Sequence, residues 1–501
     1  MALTGLSFLG NTRGATGGKT FRASHRAVGD LIEPDFHSST LNDVDQVCAL
    51  ALDAFGTFRK LSGSDRASFL TEIARSMERV REEIVERYVI ETGLPEARAN
   101  NEFNRTIGQV RLFANVAEEG TWADPRIETA LPDRQPLPKP DMRSLWIPLG
   151  PVAVFGASNF PLAYSVMGGD SASALAAGCP IIVKAHPAHP GVSELVANCV
   201  IEAAESTGMP EGVFSMLFDS GFEVGQALVC DPRIKGVGFT GSQKGGLALW
   251  RLAMARSEPI PVYAEMGSVN PSVILHGKLA DPEAMAKTMH GSLTMGMGQF
   301  CTKPGLIITV GNADSFIKHL EVLFESTPFG TMLTDGIESA YNENVQARAS
   351  AKKSQATVGG TPRSATLFTC DAATFIAQPE LGEEIFGPAA IIVTCPNEST
   401  AEKLISGLEG QLTGSIHGTE ADLDTAGQVF DALEQRVGRL LVNQVPTGLE
   451  VCSATVHGGP FPSTTEPRST SVGTMAIQRW ARPICYQNVP QSLLPRALRT
   501  D

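Results

Sequence analysis

The sequence predicts an α/β protein with two parallel-sheet domains and a small extended segment between them. Three observations lead there. At 501 residues the chain is too long for one hydrophobic core. From Ile147 onward strand-like and helix-like stretches alternate, and a second alternating set begins near residue 272. Between the helical N-terminal part and the first alternation, LPDRQPLPKPDMRS (131–144) has four prolines and no helical period, so it reads as an extended ribbon or linker.

Each element follows from its own pattern. Residues 42–61 and 65–92 read as amphipathic helices; in the second, Phe69, Ile73, Met77, Val80, Ile84 and Tyr88 recur at three- and four-residue steps. A further helix is expected from about Glu96 to Glu119. VAVFG (152–156) reads as a buried strand, followed by a helix over about 163–177, the strand PIIVK (180–184) and a helix over about 190–207. VFSMLF (213–218) and IKGVGFTG (234–241) complete the first set, with a short helix between them. Such alternation means βαβ units, and parallel sheets take nucleotides at their carboxyl edge. The second set has strands near 272–276, 305–310, 389–394, 411–417 and 439–443. From about 472 the chain returns to loop and extended character.

Composition removes several classes of function. With 54 acidic against 40 basic residues the net charge is -14, and no basic run offsets it, so neither nucleic acid nor an anionic membrane surface is an expected partner. The nine cysteines contain no CxxC pair, which argues for free thiols in a reducing compartment, the cytoplasm by default. MALTGLSFLGNTRG does not read as a secretory signal, and the most apolar stretch, 173–183, is broken by Gly178 and Pro180.

Several residues have chemistry to offer. Cys301, in GQFCTKP, follows a small-residue stretch and precedes a buried strand, so its sulfur would be open to a substrate carbon near backbone N–H groups. Glu265, in YAEMGSVNP, ends an apolar strand, where desolvation should raise its pKa toward the range of a general base; a strand-end surface carboxylate is the alternative. In FTGSQKGG, Gly241 and Ser242 open a helix whose dipole favours phosphate. Lys184 ends the strand PIIVK and could reach a ribose or phosphate, or simply be solvated. Asn159, in SNFP, could donate to an oxyanion or cap the next helix. His186 and His189 form a lone HxxH in a proline-rich turn, and no metal is expected there.

In order, SNFP (158–161), PIIVK (180–184), FTGS (239–242), EMG (265–267), GQFCTKP (298–304), EEIFGP (383–388) and the asparagine of GRLLVNQ (438–444) closely resemble the motifs of the aldehyde dehydrogenase superfamily. The resemblance implies a Rossmann-like cofactor domain (1–130 and 149–265), an α/β catalytic domain (266–471) and a bridging, oligomerising segment (131–148 and 472–501), in a homo-oligomer, dimer or tetramer. It implies Cys301 as nucleophile, Asn159 and the Cys301 amide as oxyanion hole, and Glu265 as the base for the deacylating water. Lys184, Gly241 and Ser242 resemble cofactor contacts, and Glu384 and Phe386 resemble the carboxylate and ring at the nicotinamide ribose. NAD or NADP is the implied cofactor. Pro187 stands where NAD-preferring members often have a ribose-chelating glutamate, which tilts the expectation to NADP. EMGS also departs from the commoner glutamate-leucine-glycine-glycine.

GASNFPLAYSVMGGD, KAHPAHPG and VHGGPFPSTT resemble the branch containing 2-oxoglutarate semialdehyde dehydrogenases and NADP-dependent fatty aldehyde dehydrogenases. His457 matches an active-site histidine of the latter, or is a loop-capping residue. A semialdehyde needs a cation for its remote carboxylate, for which Arg105 and Arg111 on the 96–119 helix are candidates, surface arginine being the other reading. The expected reaction is oxidation of 2-oxoglutarate semialdehyde through a Cys301 thioester. A fatty or other aldehyde is the first alternative and a catalytically inactive binding relative the second.

Overall fold

The computed structural model describes residues 2–350 and 355–500. The chain begins with short strands β1 (Phe8–Leu9), β2 (Thr12–Arg13), β3 (Thr20–Ser24) and β4 (Leu31–His37). Four helices follow, α1 (Leu41–Phe58), α2 (Gly63–Arg79), α3 (Arg81–Thr92) and α4 (Glu96–Glu119). Thr40 with Asp43 and Ser62 with Asp65 form capping boxes that fix where α1 and α2 begin. The single helix expected over 65–92 is two: Val80 leaves helical geometry (φ -114°, ψ 25°), while the apolar spacing runs on across the break.

After β5 (Arg126–Glu128) and β6 (Met142–Pro148) comes the first alternating set. It comprises β7 (Val152–Phe155), α5 (Gly169–Ala177), β8 (Ile181–Lys184), α6 (Pro190–Ser206), β9 (Phe214–Leu217), α7 (Glu223–Cys230), β10 (Gly236–Thr240), α8 (Gln243–Met254) and β11 (Val262–Glu265). The helix expected from 163 starts at Gly169; residues 161–168 are turns that keep the SNFP segment close to the sheet.

These strands lie in the order β11-β10-β7-β8-β9-β1-β2, with β7 to β11 parallel. The chain runs outward from β7 through β8 and β9, then returns to the other side of β7 for β10 and β11, which is a topological switch point. Strand alternation explains the two cores. Val152, Val154, Ile181, Val183, Phe214 and Met216 pack on one face with residues of α2, α4, α5 and α6. Ala153, Ile182, Leu217 and Val237 pack on the other with residues of α1 and α7. β1 and β2 join antiparallel at the far edge; two-residue strands are too short to announce themselves by period.

The second sheet has the order β14-β15-β16-β13-β12-β17-β18. Its members are β12 (Ser272–Ile274), β13 (Leu306–Val310), β14 (Gln355–Val358), β15 (Thr366–Asp371), β16 (Ala389–Cys395), β17 (Gln411–His417) and β18 (Val437–Val442), with α9 (Pro282–Thr294), α10 (Asp314–Glu325) and α11 (Asp335–Ala349) against its faces. All its pairings are parallel except β14 with β15. In the tail β19 (Ala481–Gln487) pairs antiparallel with β6, and β5 takes the other edge of β6. Among the described residues no helix is long and apolar enough to cross a membrane.

Candidate active site

The site forms where the last strand of the first sheet hands over to the second. Glu265 ends β11 and is 1% exposed. Residues 463–465 run beside this strand: Met266 N–H donates to the Ser463 carbonyl (2.8 Å) and Ala264 N–H to the Thr465 hydroxyl (2.9 Å). That return brings His457 and Ser471 to the carboxylate. Ser471 Oγ donates to Glu265 Oε2 at 2.9 Å, and His457 Nε2 lies 2.9 Å from Oε1.

Cys301 arrives from the second sheet, ahead of β13. The turn before it places Gly296 (φ 55°), Met297 (φ 59°) and Gly298 (φ 63°) in the left-handed region. A side chain at 298 would run into the Gly387 carbonyl, so only glycine lets the Cys301 loop lie this close to the loop after Glu384. The loop is then fastened by Asn270, itself left-handed (φ 50°) and fully buried. Its Nδ2 donates to the carbonyls of Cys301 (2.7 Å) and Lys303 (2.9 Å), while its Oδ1 accepts from the amide and hydroxyl of Thr413 (3.1 and 2.8 Å). Gln411 Oε1 accepts from the N–H groups of Val269 (2.8 Å) and Asn270 (3.2 Å).

Cys301 Sγ lies 3.6 Å from His457 Nε2, and the sulfur, a Glu265 oxygen and a His457 nitrogen all lie within 4.8 Å of one another. Burial and then the Glu265 charge push the thiol well above its ordinary pKa. For Glu265 the expectation was a raised pKa, and the structure reverses it. Burial does push the carboxyl up, but His457, the Ser471 hydroxyl and the Cys301 thiol together outweigh it and hold it below the usual value. The resting pair is therefore a thiol beside a carboxylate. The same three donors make a set that a zinc ion can accept.

Asn159, 8% exposed, lies over this loop and donates Nδ2–H to the Gln299 carbonyl at 3.1 Å, which leaves its second N–H to give. His189 Nε2–H donates to the Ala157 carbonyl (2.8 Å) and so steadies the turn that carries Asn159. Burial drives His189 down to about 4 and His186 well below its ordinary value, so both are neutral structural groups.

On the other side of the sulfur, Phe160, Tyr164, Phe300 and Val472 form an apolar cluster. Arg105 Nη2 donates to the Tyr164 hydroxyl at 2.9 Å, and Arg98 stacks over Phe160 and Phe300 at 4.4 and 4.3 Å. Arg439 on β18 donates to the carbonyls of Pro446 (2.7 Å) and Gly448 (2.9 Å), next to Leu449 and Val451, which pack on that cluster. Cys301, Tyr164 and Arg105 are the titratable groups that act on the Arg439 guanidinium. Arg105 and Arg439 each keep a buried Nε with no hydrogen-bond partner, and neither is ion-paired, among the described residues. Arg111, expected beside Arg105, is instead on the outer face of α4, paired with Glu78 at 2.7 Å. Six residues turn a helix about 240° beyond a full turn, whereas the seven from Arg98 to Arg105 return to the same face.

Lys303 is buried two residues after the thiol. Its Nζ donates to the Ile385 and Ala389 carbonyls, both at 2.7 Å, and faces Glu384. Burial lowers the lysine and raises Glu384, each opposing the other's shift; the Glu384 carboxylate also accepts from the Ser268 N–H. Phe386 follows, half-buried, on the same loop.

The carboxyl edge of the first sheet offers an exposed helix start and a buried lysine. Ser242 caps α8 by accepting from the Gly245 N–H at 3.2 Å, and residues 242–244 are exposed at the positive end of that helix. A Cβ at Gly241 would sit 2.7 Å from the Phe239 ring, which would have to shift to admit it. Lys184, 8% exposed, donates to the Asp219 carbonyl, and burial lowers its pKa to about 8.

Asn270, Lys303, Ser471 and Arg439 were missed by sequence reasoning. Only the asparagine-proline pair at 270–271 gave a signal, as a turn.

The profile of the aldehyde dehydrogenase family matches residues 16–471. Alpha-ketoglutaric semialdehyde dehydrogenase 2 of Azospirillum brasilense is 45% identical over 510 residues, 100% of this chain and 97% of the relative. Alpha-ketoglutaric semialdehyde dehydrogenase of Acinetobacter baylyi is 42% identical over 93% of this chain and 90% of its own length. Among solved structures, lactaldehyde dehydrogenase of Escherichia coli superposes with a TM-score of 0.83 at 20% identity, covering 96% of this chain and 98% of that one. The 1-pyrroline-5-carboxylate dehydrogenase from Thermus with bound NAD gives 0.81 at 22% identity, over 96% and 92%.

Proposed function

This chain belongs to the aldehyde dehydrogenase family, an oxidoreductase that converts an aldehyde to a carboxylate with NAD(P), and on that premise we propose that its substrate is 2-oxoglutarate semialdehyde and that Cys301 carries the acyl group. The observation that carries the substrate reading is the pair of guanidiniums, Arg105 and Arg439, neither ion-paired among the described residues and each with an unpartnered buried Nε, both acting electrostatically with Cys301. An aldehyde with a remote carboxylate supplies the anion that such a pair accepts. The two relatives named for this semialdehyde, at 45% and 42% identity, support the same reading.

The chemistry follows from the geometry. The sulfur attacks the aldehyde carbon, an S–C bond forms, and the thiol proton passes to the Glu265 carboxylate. The carbonyl oxygen becomes an oxyanion that takes the spare Asn159 N–H and the Cys301 amide. Glu384 and Phe386 at one end, and Gly241, Ser242 and Lys184 along the first sheet, would hold a nicotinamide cofactor, which would supply the hydride acceptor for thioester formation on Cys301. Once Glu265, steadied by Ser471 and His457, has released that first proton to solvent, it takes a proton from water as the water attacks the thioester. The C–S bond breaks, Glu265 returns this proton to the leaving sulfur, and the product acid ionises to the carboxylate.

We read the first sheet with its N-terminal helices as the cofactor domain and the second as the catalytic domain. The β5-β6-β19 ribbon is read as the oligomerising segment of a homodimer or homotetramer. Nine free cysteines, three of them exposed, suit the reducing cytoplasm. Pro187 leaves room for the 2′-phosphate of NADP, the cofactor preferred on sequence grounds.

The test is a panel of 2-oxoglutarate semialdehyde, succinate semialdehyde and decanal, each with NAD and with NADP. The keto-semialdehyde should give the highest kcat/KM. Arg105→Met and Arg439→Met should each lower it by about 10- to 100-fold while sparing decanal. Equal loss on both substrates would exclude carboxylate recognition. Cys301→Ala should stop turnover and leave cofactor binding intact.

A further inference from the structure

Two strands of the first sheet end side by side at its carboxyl edge. β8 ends at Lys184, and just past the end of β9 comes Asp219. The Lys184 ammonium donates to the Asp219 main-chain carbonyl, and the Asp219 carboxylate also acts on it electrostatically. Asp219 is 6% exposed. Its Oδ1 accepts the Gly221 N–H at 2.9 Å, closing a short turn. Its Oδ2 is buried and has no hydrogen-bond donor among the described residues. A buried carboxylate oxygen without a donor is costly, so something at this edge should supply one.

We propose that Asp219 receives the hydroxyls of the adenosine ribose and thereby selects NAD over NADP. A ribose 2′,3′-diol offers two O–H donors to a carboxylate. A 2′-phosphate offers none there and brings a second anion into a pocket where charges are weakly screened. Pro187 removes a carboxylate from the loop after β8, but Asp219 provides one from the neighbouring strand. Asp219 thereby opposes the expectation of NADP drawn from Pro187 alone. Lys184 sets the geometry, because its ammonium holds the Asp219 backbone at the sheet edge. The inference rests on the NAD(P) chemistry of the family and not on the identity of the aldehyde.

The test is equilibrium binding to the full-length protein, followed by dinucleotide fluorescence without substrate, so that failure of the semialdehyde reading cannot affect it. Wild-type protein should bind NADH more tightly than NADPH. Asp219→Asn keeps the acceptor for Gly221 and loses the charge; it should narrow the ratio by about tenfold, chiefly by tightening NADPH. The fragments 5′-AMP and 2′,5′-ADP, as competitors, should show the same change. A wild-type preference for NADPH, a ratio unmoved by Asp219→Asn, or both dinucleotides weakened by a common factor would overturn the proposal. So would a change seen with dinucleotides and not with fragments. A melting temperature shared by wild type and variant excludes misfolding as the source of any shift.

Discussion

The two sheet edges that bound the site are built on opposite plans. At the carboxyl edge of the first sheet the polar groups are sparse: an exposed helix start at Ser242, a lysine, and a carboxylate oxygen with no donor among the described residues. At the second, the main chain of the loop around Cys301 is tied down inside the protein. Asn270 ties down the carbonyls of residues 301 and 303, Gln411 ties down the segment before it, and Lys303 anchors the loop carrying Glu384. The difference reflects what each edge must do. A cofactor binds and leaves, so its edge keeps bonding capacity in reserve. A sulfur that must form a covalent bond within tenths of an ångström needs a loop with one conformation.

The comparison can be broken in three places. The largest effect should come from Glu265→Gln, and it should have two opposite signs. Steady-state turnover should drop about 10²- to 10⁴-fold, with a burst of product, because deacylation loses its base. Alkylation of Cys301 by iodoacetamide should speed up near neutral pH, because the charge that holds the thiol proton is gone. In the wild type that alkylation rate should keep climbing with pH past the ordinary thiol range. An alkylation profile identical in wild type and variant would mean that the carboxylate does not govern the sulfur.

Next is Asn270→Ala, which strips two loop carbonyls of their buried donor and places alanine at positive φ. A loss on the order of 3 kcal/mol in denaturant unfolding is expected, with kcat reduced more than cofactor affinity. If cofactor affinity fell instead, the contrast between the two edges would not hold. The smallest effect is expected from Ser242→Ala, which removes one helix cap. It should cost about 1 kcal/mol and weaken dinucleotide binding a few-fold in the same titration, with kcat at saturating cofactor unchanged.

Much of this was legible in the sequence because the signals were local. Strands buried on both faces, such as IIVK and LIITV, are continuous apolar runs, and the motifs around Asn159, Glu265 and Cys301 sit at their ends. What escaped was the set of features that depend on partners distant in sequence. Glu265 read as a desolvated carboxylate, and the lowering came from His457 and Ser471, 192 and 206 positions away. Asp219 carried no signal in the sequence, and it stands out only because Lys184 lies beside it. Arg111 was a failure of another kind: helical geometry alone, applied to the step from 105 to 111, would have sent it to the outside.

The proton on Cys301 also bears on how the protein ages. Peroxide attacks thiolates, so a sulfur kept protonated by a neighbouring carboxylate is slow to enter the path toward sulfenic and sulfinic acids. Cys452 is exposed, and hydrogen bonds from Thr455 and Ala454 lower its pKa, so oxidant should reach it first. Mass spectrometry of peroxide-treated protein should therefore find oxygen on Cys452 while full catalytic capacity survives.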